Sequence, residues 1–217
     1  MPDFRCTFRL QLNDRFGFDA AREVALPYAR ELGISHLYLS PSLQAQHGST
    51  HGYDVTDPTR ISEDLGGENA FRALCDAAHA AGLGVVLDIV PNHMAANEQE
   101  SPFWRDPEQR ARFFDYDPAT GWHRRFFDVD ELAGVRVEDP EVFEVTHRKV
   151  LELVEDGHVD GLRIDHPDGL ANPREYLNRL REHGVPGSGW RRSSSRANRC
   201  APTGRRRARR ATSSRTT

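Results

Sequence analysis

The chain has 217 residues with 29 Lys or Arg against 33 Asp or Glu, a formal charge of −4. The 32 residues after Val185 hold ten arginines, no acidic residue and no Ile, Leu, Val, Phe or Met, which leaves residues 1–185 at −14. The first part has the apolar recurrence of a folded domain, whereas the second cannot bury enough apolar surface to offset chain entropy and is expected to be a disordered tail.

In chain order, residues 7–12 (Thr-Phe-Arg-Leu-Gln-Leu) alternate apolar and polar side chains, the period of a strand. Residues 18–32 read as a helix with Asp19 as N-cap, Pro27 at a bend or restart, and Gly33 ending it. Residues 34–39 form a second strand, and residues 40–67, crowded with Gly, Ser, His, Asp and Pro, a long loop. A helix over 69–81 places Phe71, Leu74, Ala78 and Ala81 on one face and stops at Gly82. Residues 84–90 are a near-continuous apolar run, as in a parallel strand covered on both faces. After a short insertion (95–138), Asp139 and Pro140 open a helix with Phe143, Val150, Leu151 and Val154 on one face. Residues 159–164 make a fourth strand, and Asn172-Pro173 starts a helix that ends near Gly184.

Four strand–helix units predict an α/β fold with a parallel sheet, either open and doubly wound or closed. Polar residues fall at successive strand ends: His51 and Tyr53 after the second, Asp88 and His93 around the third, Arg163 and Asp165 at the fourth. That placement, together with the absence of a GxGxxG or GxxxxGK[ST] loop, favours the N-terminal half of a TIM (β/α)8 barrel. Half a barrel is expected to leave the first and fourth strand edges unpaired, the core open and solubility poor. No run approaches the ~18 apolar residues of a membrane helix, and the N-terminal residues lack the layout of a secretory signal, so a cytoplasmic protein with no membrane partner is expected. Cys6, Cys75 and Cys200 have no CxxC spacing, and no HExxH pair occurs, so neither a disulfide framework nor a metal centre is expected.

Three segments carry candidate chemistry. Asp88-Ile-Val-Pro-Asn-His93 offers a carboxylate, an amide and an imidazole, usable for a metal site or for gripping sugar hydroxyls; alternatively Asp and Asn cap a turn that the proline ends. Arg163 and Asp165 are two apart, so on a strand they share a face where the guanidinium holds the carboxylate ionised, either for nucleophilic catalysis or as a structural ion pair. His51-Gly-Tyr-Asp-Val-Thr-Asp57 combines an aromatic ring, suited to the C–H face of a sugar, with the carboxylates of Asp54 and Asp57; a solvent loop with Asx turns is the alternative.

In this order the segments resemble the alpha-amylase superfamily of glycoside hydrolases and transglycosylases. Gly161-Leu-Arg-Ile-Asp165, His166-Pro-Asp-Gly-Leu170 and the opening strand are most similar to its trehalose-forming glucosylmutases. The resemblance implies that Asp165 is the nucleophile and Arg163 its holder. It further implies that Tyr53, His93, His166 and His51 bind the sugar, with Asp54 and Asp57 shaping their loop. The implied reaction converts the reducing-end α-1,4 linkage of a maltooligosaccharide to an α,α-1,1 linkage with retention, and needs no metal or organic cofactor. A hydrolase or 4-α-glucanotransferase of the same superfamily is the nearest alternative, and a non-catalytic glucan-binding module a more distant one. The aromatics Phe103, Trp104, Phe113, Phe114, Trp122, Phe126 and Phe127 of the insertion are expected to pack a core or to line glucan subsites.

The family's acid/base glutamate and stabilising aspartate belong to later strands, so the chain is expected to be an inactive N-terminal fragment. Back-translation offers a reason. With Trp190 as TGG and suitable synonymous codons, the neighbouring frame permits Val-Glu-Lys-Ile-Leu and then Thr-Thr-Gly-Tyr-Glu, both resembling the family's continuation. A base gained or lost near codons 184–188 is therefore expected, with residues 186–217 read out of frame. A nucleic-acid-binding tail is the competing reading; the lack of lysine, RGG repeats and aromatics other than Trp190 argues against it.

Overall fold

The computed structural model describes residues 3–185; the arginine-rich tail expected to be disordered lies outside the described residues. Strand β1 (Thr7–Leu10) stops before the apolar alternation does. The Leu12 N–H donates to the Ser40 hydroxyl at 2.9 Å instead of continuing the sheet. The next helix comprises α1 (Phe18–Ala20), a π-helical turn (Ala21–Ala25) and α2 (Leu26–Glu31). Its N-cap is Gly17; Asp19, the expected cap, lies in the first turn and pairs with Arg22 at 2.9 Å. Pro27 does not restart the helix. Its ring would crowd the carbonyl four residues earlier, and the wider π turn gives it room.

After β2 (His36–Leu39), the segment expected to be a plain loop contains an antiparallel ribbon of β3 (Leu43–Ala45) and β4 (Val55–Ile61). Leu43, Val55 and Ile61 are buried there, an apolar signal that the surrounding Gly, Ser and Asp residues diluted. Helix α3 (Gly67–Ala80) is followed by Gly82 at φ +80, the left-handed residue a helix end favours. Then come β5 (Gly84–Ile89), buried throughout, and the insertion: β6 (His93–Ala95), α4 (Pro102–Arg105), α5 (Pro107–Phe113), β7 (Arg125–Phe126) and β8 (Val129–Gly134). The insertion's three strands pair antiparallel in the order β6-β8-β7. Helix α6 (Pro140–Glu155) is capped by Asp139, which accepts from the Glu141 N–H at 2.9 Å. Its buried face is Val142, Phe143, Thr146, His147, Val150 and Leu153, with Leu151 and Val154 only half-buried. Strand β9 (Gly161–Ile164) and helix α7 (Pro173–Glu182), capped by Asn172, complete the described chain.

The main sheet is parallel, in the order β1-β2-β5-β9, as four successive barrel units require. Alternation sorts its two faces. Leu10, Leu37, Leu39, Val85, Leu87, Ile89, Leu162 and Ile164 join one hydrophobic core with Phe18, Phe71, Phe143 and Leu180 of the covering helices. The other face, which lines a barrel, carries Arg9, Tyr38, Asp88 and Arg163. The expectation of an open core is thus corrected: among the described residues the apolar core lies closed between sheet and helices, and the concave face is polar. Both sheet edges are as expected, since β1 pairs only with β2 and β9 only with β5 among the described strands.

Helices α6 and α7 meet through His147, which is fully buried. Its Nδ1 contacts the Phe143 carbonyl at 3.0 Å and its Nε2 the Tyr176 hydroxyl at 2.8 Å. Burial lowers its pKa from 6.5 to about 4. The folded state holds it neutral while the unfolded chain takes up a proton, so stability is lost as pH falls from about 6.5 towards about 4. Urea unfolding should lose roughly 2 kcal/mol more in the parent than in a His147→Gln variant between pH 7 and pH 5. Equal losses in the two proteins would remove His147 as the cause.

Candidate active site

The register that pairs Arg9 with Tyr38 and Asp88 with Arg163 brings side chains of all four parallel strands together at the C-terminal ends. Asp88, 1% exposed, is the hub. Its Oδ2 accepts from the hydroxyls of Tyr38 and Tyr53, each at 2.7 Å. Arg163 Nη1 donates to Asp88 Oδ1 at 2.9 Å and Oδ2 at 3.1 Å, and the same nitrogen donates to Asp165 Oδ1 at 2.6 Å. One guanidinium thus bridges two carboxylates. Asp165 stands just past β9, 6% exposed.

Electrostatics follow from that burial. Desolvation pushes the Asp88 carboxyl above its ordinary range, opposed by Arg163 and the two phenols. All of these groups donate to it, so Asp88 acts as an acceptor-only carboxylate. Both phenols are raised, first by burial and then by the Asp88 charge. Desolvation works against the Arg163 charge, but the hydrogen bonds and charge of Asp88 outweigh it and hold Arg163 protonated.

A second group closes around Asp165. Asn92 Nδ2 donates to the His166 carbonyl at 3.0 Å, tying the end of β5 to the end of β9. That orients Asn92 Oδ1 towards His93 Nδ1, with which it makes a short hydrogen bond. The turn-capping reading of this segment does not hold: Asp88 and Asn92 bond across strands. Burial drops the His93 pKa to about 4, so its ring is neutral at neutral pH. Phe126 stacks on it with ring centroids 3.9 Å apart. His166 has φ +42, an unusual left-handed conformation for a side-chain-bearing residue, and its Nε2 lies 4.0 Å from Asp165 Oδ2. Phe127 meets His166 edge-on at 5.1 Å yet remains 71% exposed.

Arg163, Asp165, His93, His166 and Tyr53 are therefore gathered at one place, while three candidates stay in their own loop. Asp54 accepts from Ser49 Oγ (2.5 Å) and Gln46 Nε2 (3.2 Å). Asp57 accepts from the Thr59 N–H (3.0 Å) and Oγ1 (2.6 Å) and from Arg60 Nε (3.1 Å). His51 Nδ1 accepts from the Tyr53 N–H at 3.1 Å and lies 3.7 Å from Asp54 Oδ1. Of the insertion aromatics, Trp104, Phe113 and Phe114 are core residues with Phe103 packed against them, and Trp122 is exposed. Sequence reasoning offered Asp88 as a group that grips sugar hydroxyls, not as a hub that accepts from neighbouring strands, and assigned no role to Tyr38 or Arg9. Their signal was present only as the period-two placement of polar residues on β1, β2 and β5. The approach of Phe127 had none: Phe127 (φ +50) and Asp128 (φ +57) form a two-residue hairpin turn without the Asn-Gly or Asp-Gly that marks such turns.

The chain is similar to known proteins in sequence and in fold. A Mycobacterium tuberculosis protein named "Putative maltooligosyl trehalose synthase" is 36% identical over 249 aligned positions, covering 81% of this chain and 32% of its own. The solved maltooligosyltrehalose synthase of Arthrobacter ramosus superposes with a TM-score of 0.77 at 35% identity, over 83% of this chain and 34% of that one. A 1,4-alpha-glucan branching enzyme of Corynebacterium glutamicum is 30% identical over 76% of this chain and 21% of its own. The chain thus spans about a third of the length of the maltooligosyl trehalose synthases it matches. Among the described residues no helix is long and apolar enough to cross a membrane. Residues 23–187 match the alpha-amylase catalytic domain, and with the four-unit parallel barrel segment and the strand-end site just described, this chain belongs to the alpha-amylase family of enzymes.

Proposed function

We propose that this chain carries the nucleophile half of a retaining α-glucan transglucosidase that isomerises the reducing-end α-1,4 linkage of maltooligosaccharides to an α,α-1,1 linkage. The observation that carries it is the Arg163 bridge, which presents a 6% exposed Asp165 carboxylate beside His93, His166 and the Tyr53 ring. The relatives named maltooligosyl trehalose synthase support the choice of reaction within the family.

An Asp165 oxygen attacks the anomeric carbon, and the C1–O4 bond breaks as a second carboxyl, about 5 to 5.5 Å away, protonates the leaving oxygen. The released glucose turns within the site. Its anomeric hydroxyl attacks the anomeric carbon of the glycosyl ester, the bond from that carbon to the Asp165 oxygen breaks, the second carboxylate takes the hydroxyl proton, and Asp165 is regenerated. Water must be held off the intermediate, or hydrolysis replaces isomerisation. Tyr53, Phe126 and Phe127 provide aromatic faces for sugar C–H surfaces. The second carboxyl is the glutamate that the family places on a later strand, so the 217-residue chain is expected to be inactive.

The test is incubation with maltopentaose and analysis of the products. A chain continued in the neighbouring reading frame from codon 187 should yield a non-reducing, trehalose-ended product, and the 217-residue chain none. Released glucose or disproportionated maltodextrins would favour a hydrolase or glucanotransferase instead, and turnover by the 217-residue chain would overturn its expected inactivity. Sequencing the DNA around codon 187 tests the frame itself: it must read Val-Glu-Lys beside Trp190.

A further inference from the structure

The opening strand is not part of the reacting centre, yet its polar side chains reach the loop that carries Tyr53. Gln11 Nε2 donates to two carbonyls at the loop tip, Thr50 at 3.3 Å and His51 at 3.2 Å. Arg9 Nη2 donates to the Tyr53 hydroxyl at 3.3 Å, and its guanidinium carbon lies 5.4 Å from the centre of the Tyr38 ring. Arginine is donor-only, so the Tyr53 oxygen accepts from Arg9 and its own proton goes to Asp88 Oδ2. Arg9 thereby sets the direction of the hydrogen-bond chain that runs from β1 through Tyr53 to Asp88 and Arg163.

The loop is held differently at its base and at its tip. At the base, the His47 N–H donates to Glu100 at 2.7 Å and the Gly48 N–H to Asp64 at 3.0 Å. Inside the loop, Ser49 Oγ donates to Asp54 and accepts from the Gly52 N–H. Gly52 has φ +78, and a Cβ there would sit 2.6 Å from the Pro41 carbonyl, so the turn is tight against the end of β2. Among the described residues, the tip is attached beyond its own loop to Gln11, Arg9 and Asp88, and the His93 side chain hydrogen-bonds the Tyr53 backbone.

We infer that β1 and the residues just past it form a clamp: Arg9 in β1 and Gln11 beyond its end are positioning residues that hold the tip of the residue 46–54 loop so that Tyr53 faces the Asp88–Arg163–Asp165 centre for glucan binding. Arg9 lies on β1 and Gln11 one residue past its end, and the two reach consecutive parts of one loop. The clamp accounts for the alternating Arg and Gln of the opening strand, which neither core packing nor the reaction uses. The glucan part of this inference rests on the proposed function; the loop-holding part stands without it.

Hydrogen exchange of the 217-residue chain and maltotriose binding test the two parts separately. Gln11→Leu and Arg9→Met should each speed exchange at the Gly52 and Tyr53 amides by roughly tenfold, the equivalent of one lost hydrogen bond, with amides of β2 and β5 unchanged. Arg9→Lys, which keeps a donor, should restore part of the protection. Arg60→Ala, in the same ribbon but outside the clamp, should leave the tip as it is. Unchanged exchange at Gly52 and Tyr53 in both Gln11→Leu and Arg9→Met overturns the clamp. In the binding arm, maltotriose affinity should fall by roughly tenfold in both variants with unfolding midpoints preserved. If Tyr53→Ala weakens binding while the clamp variants do not, the role in glucan binding is overturned and the proposed function stands. If tip exchange rises but no form, the parent included, binds maltotriose, it is the glucan reading that fails.

Discussion

Replacing Asp88 by alanine is expected to lower the unfolding free energy by roughly 3 to 5 kcal/mol, because it removes the buried carboxylate that Arg163 grips with two contacts and leaves the guanidinium only its contact to Asp165. Asp88 is 1% exposed, and the Arg163 side chain is 17% exposed. The substitution also strips Tyr38 and Tyr53 of the acceptor for their hydroxyl protons, so the cost exceeds that of a surface ion pair, ordinarily under ~1 kcal/mol. Urea unfolding at pH 7 measures it directly. A loss below ~1 kcal/mol would mean that Arg163 and the phenols find other partners or water, and that Asp88 is no hub.

Asp165→Asn should behave in the opposite way. Arg163 keeps both contacts to Asp88, and an asparagine oxygen can still accept from it, so stability should change by less than ~1 kcal/mol. Chemistry should collapse, since an amide cannot form the glycosyl ester: in the frame-continued protein kcat on maltopentaose should fall by a factor on the order of 10⁴ or more. An activity within tenfold of the parent would remove Asp165 as nucleophile. The pair of variants thus separates two carboxylates that share one guanidinium: one holds it in place, and the other is held by it.

Much of this architecture follows from local pattern. Period-two alternation placed β1, the near-continuous apolar run placed β5, and Asp139-Pro140 and Asn172-Pro173 marked helix starts whose caps accept the expected N–H groups. Arg163 and Asp165 could be paired from their spacing alone, because two residues apart on a strand means one face. The misreadings also have local causes. Asp19 resembles a cap but sits two residues past the N-cap Gly17, and the ribbon of β3 and β4 hides its buried Leu43, Val55 and Ile61 among turn-forming residues.

The convergence on Asp88 was decided by tertiary structure. Its partners Tyr53, Tyr38 and Arg163 lie 35, 50 and 75 residues away, and only the register of the parallel strands brings them to one carboxylate. The same holds for Gln11 reaching Thr50 and for Phe127 turned onto His166 by an unmarked hairpin. A sequence read by itself reports periods of two and 3.6, which say what each segment is and which side it buries. It carries no term for which strands become neighbours or how far they slide against one another. In this protein that relation, set by the packing of four helices on a closed apolar face, determines which of many polar residues form a site.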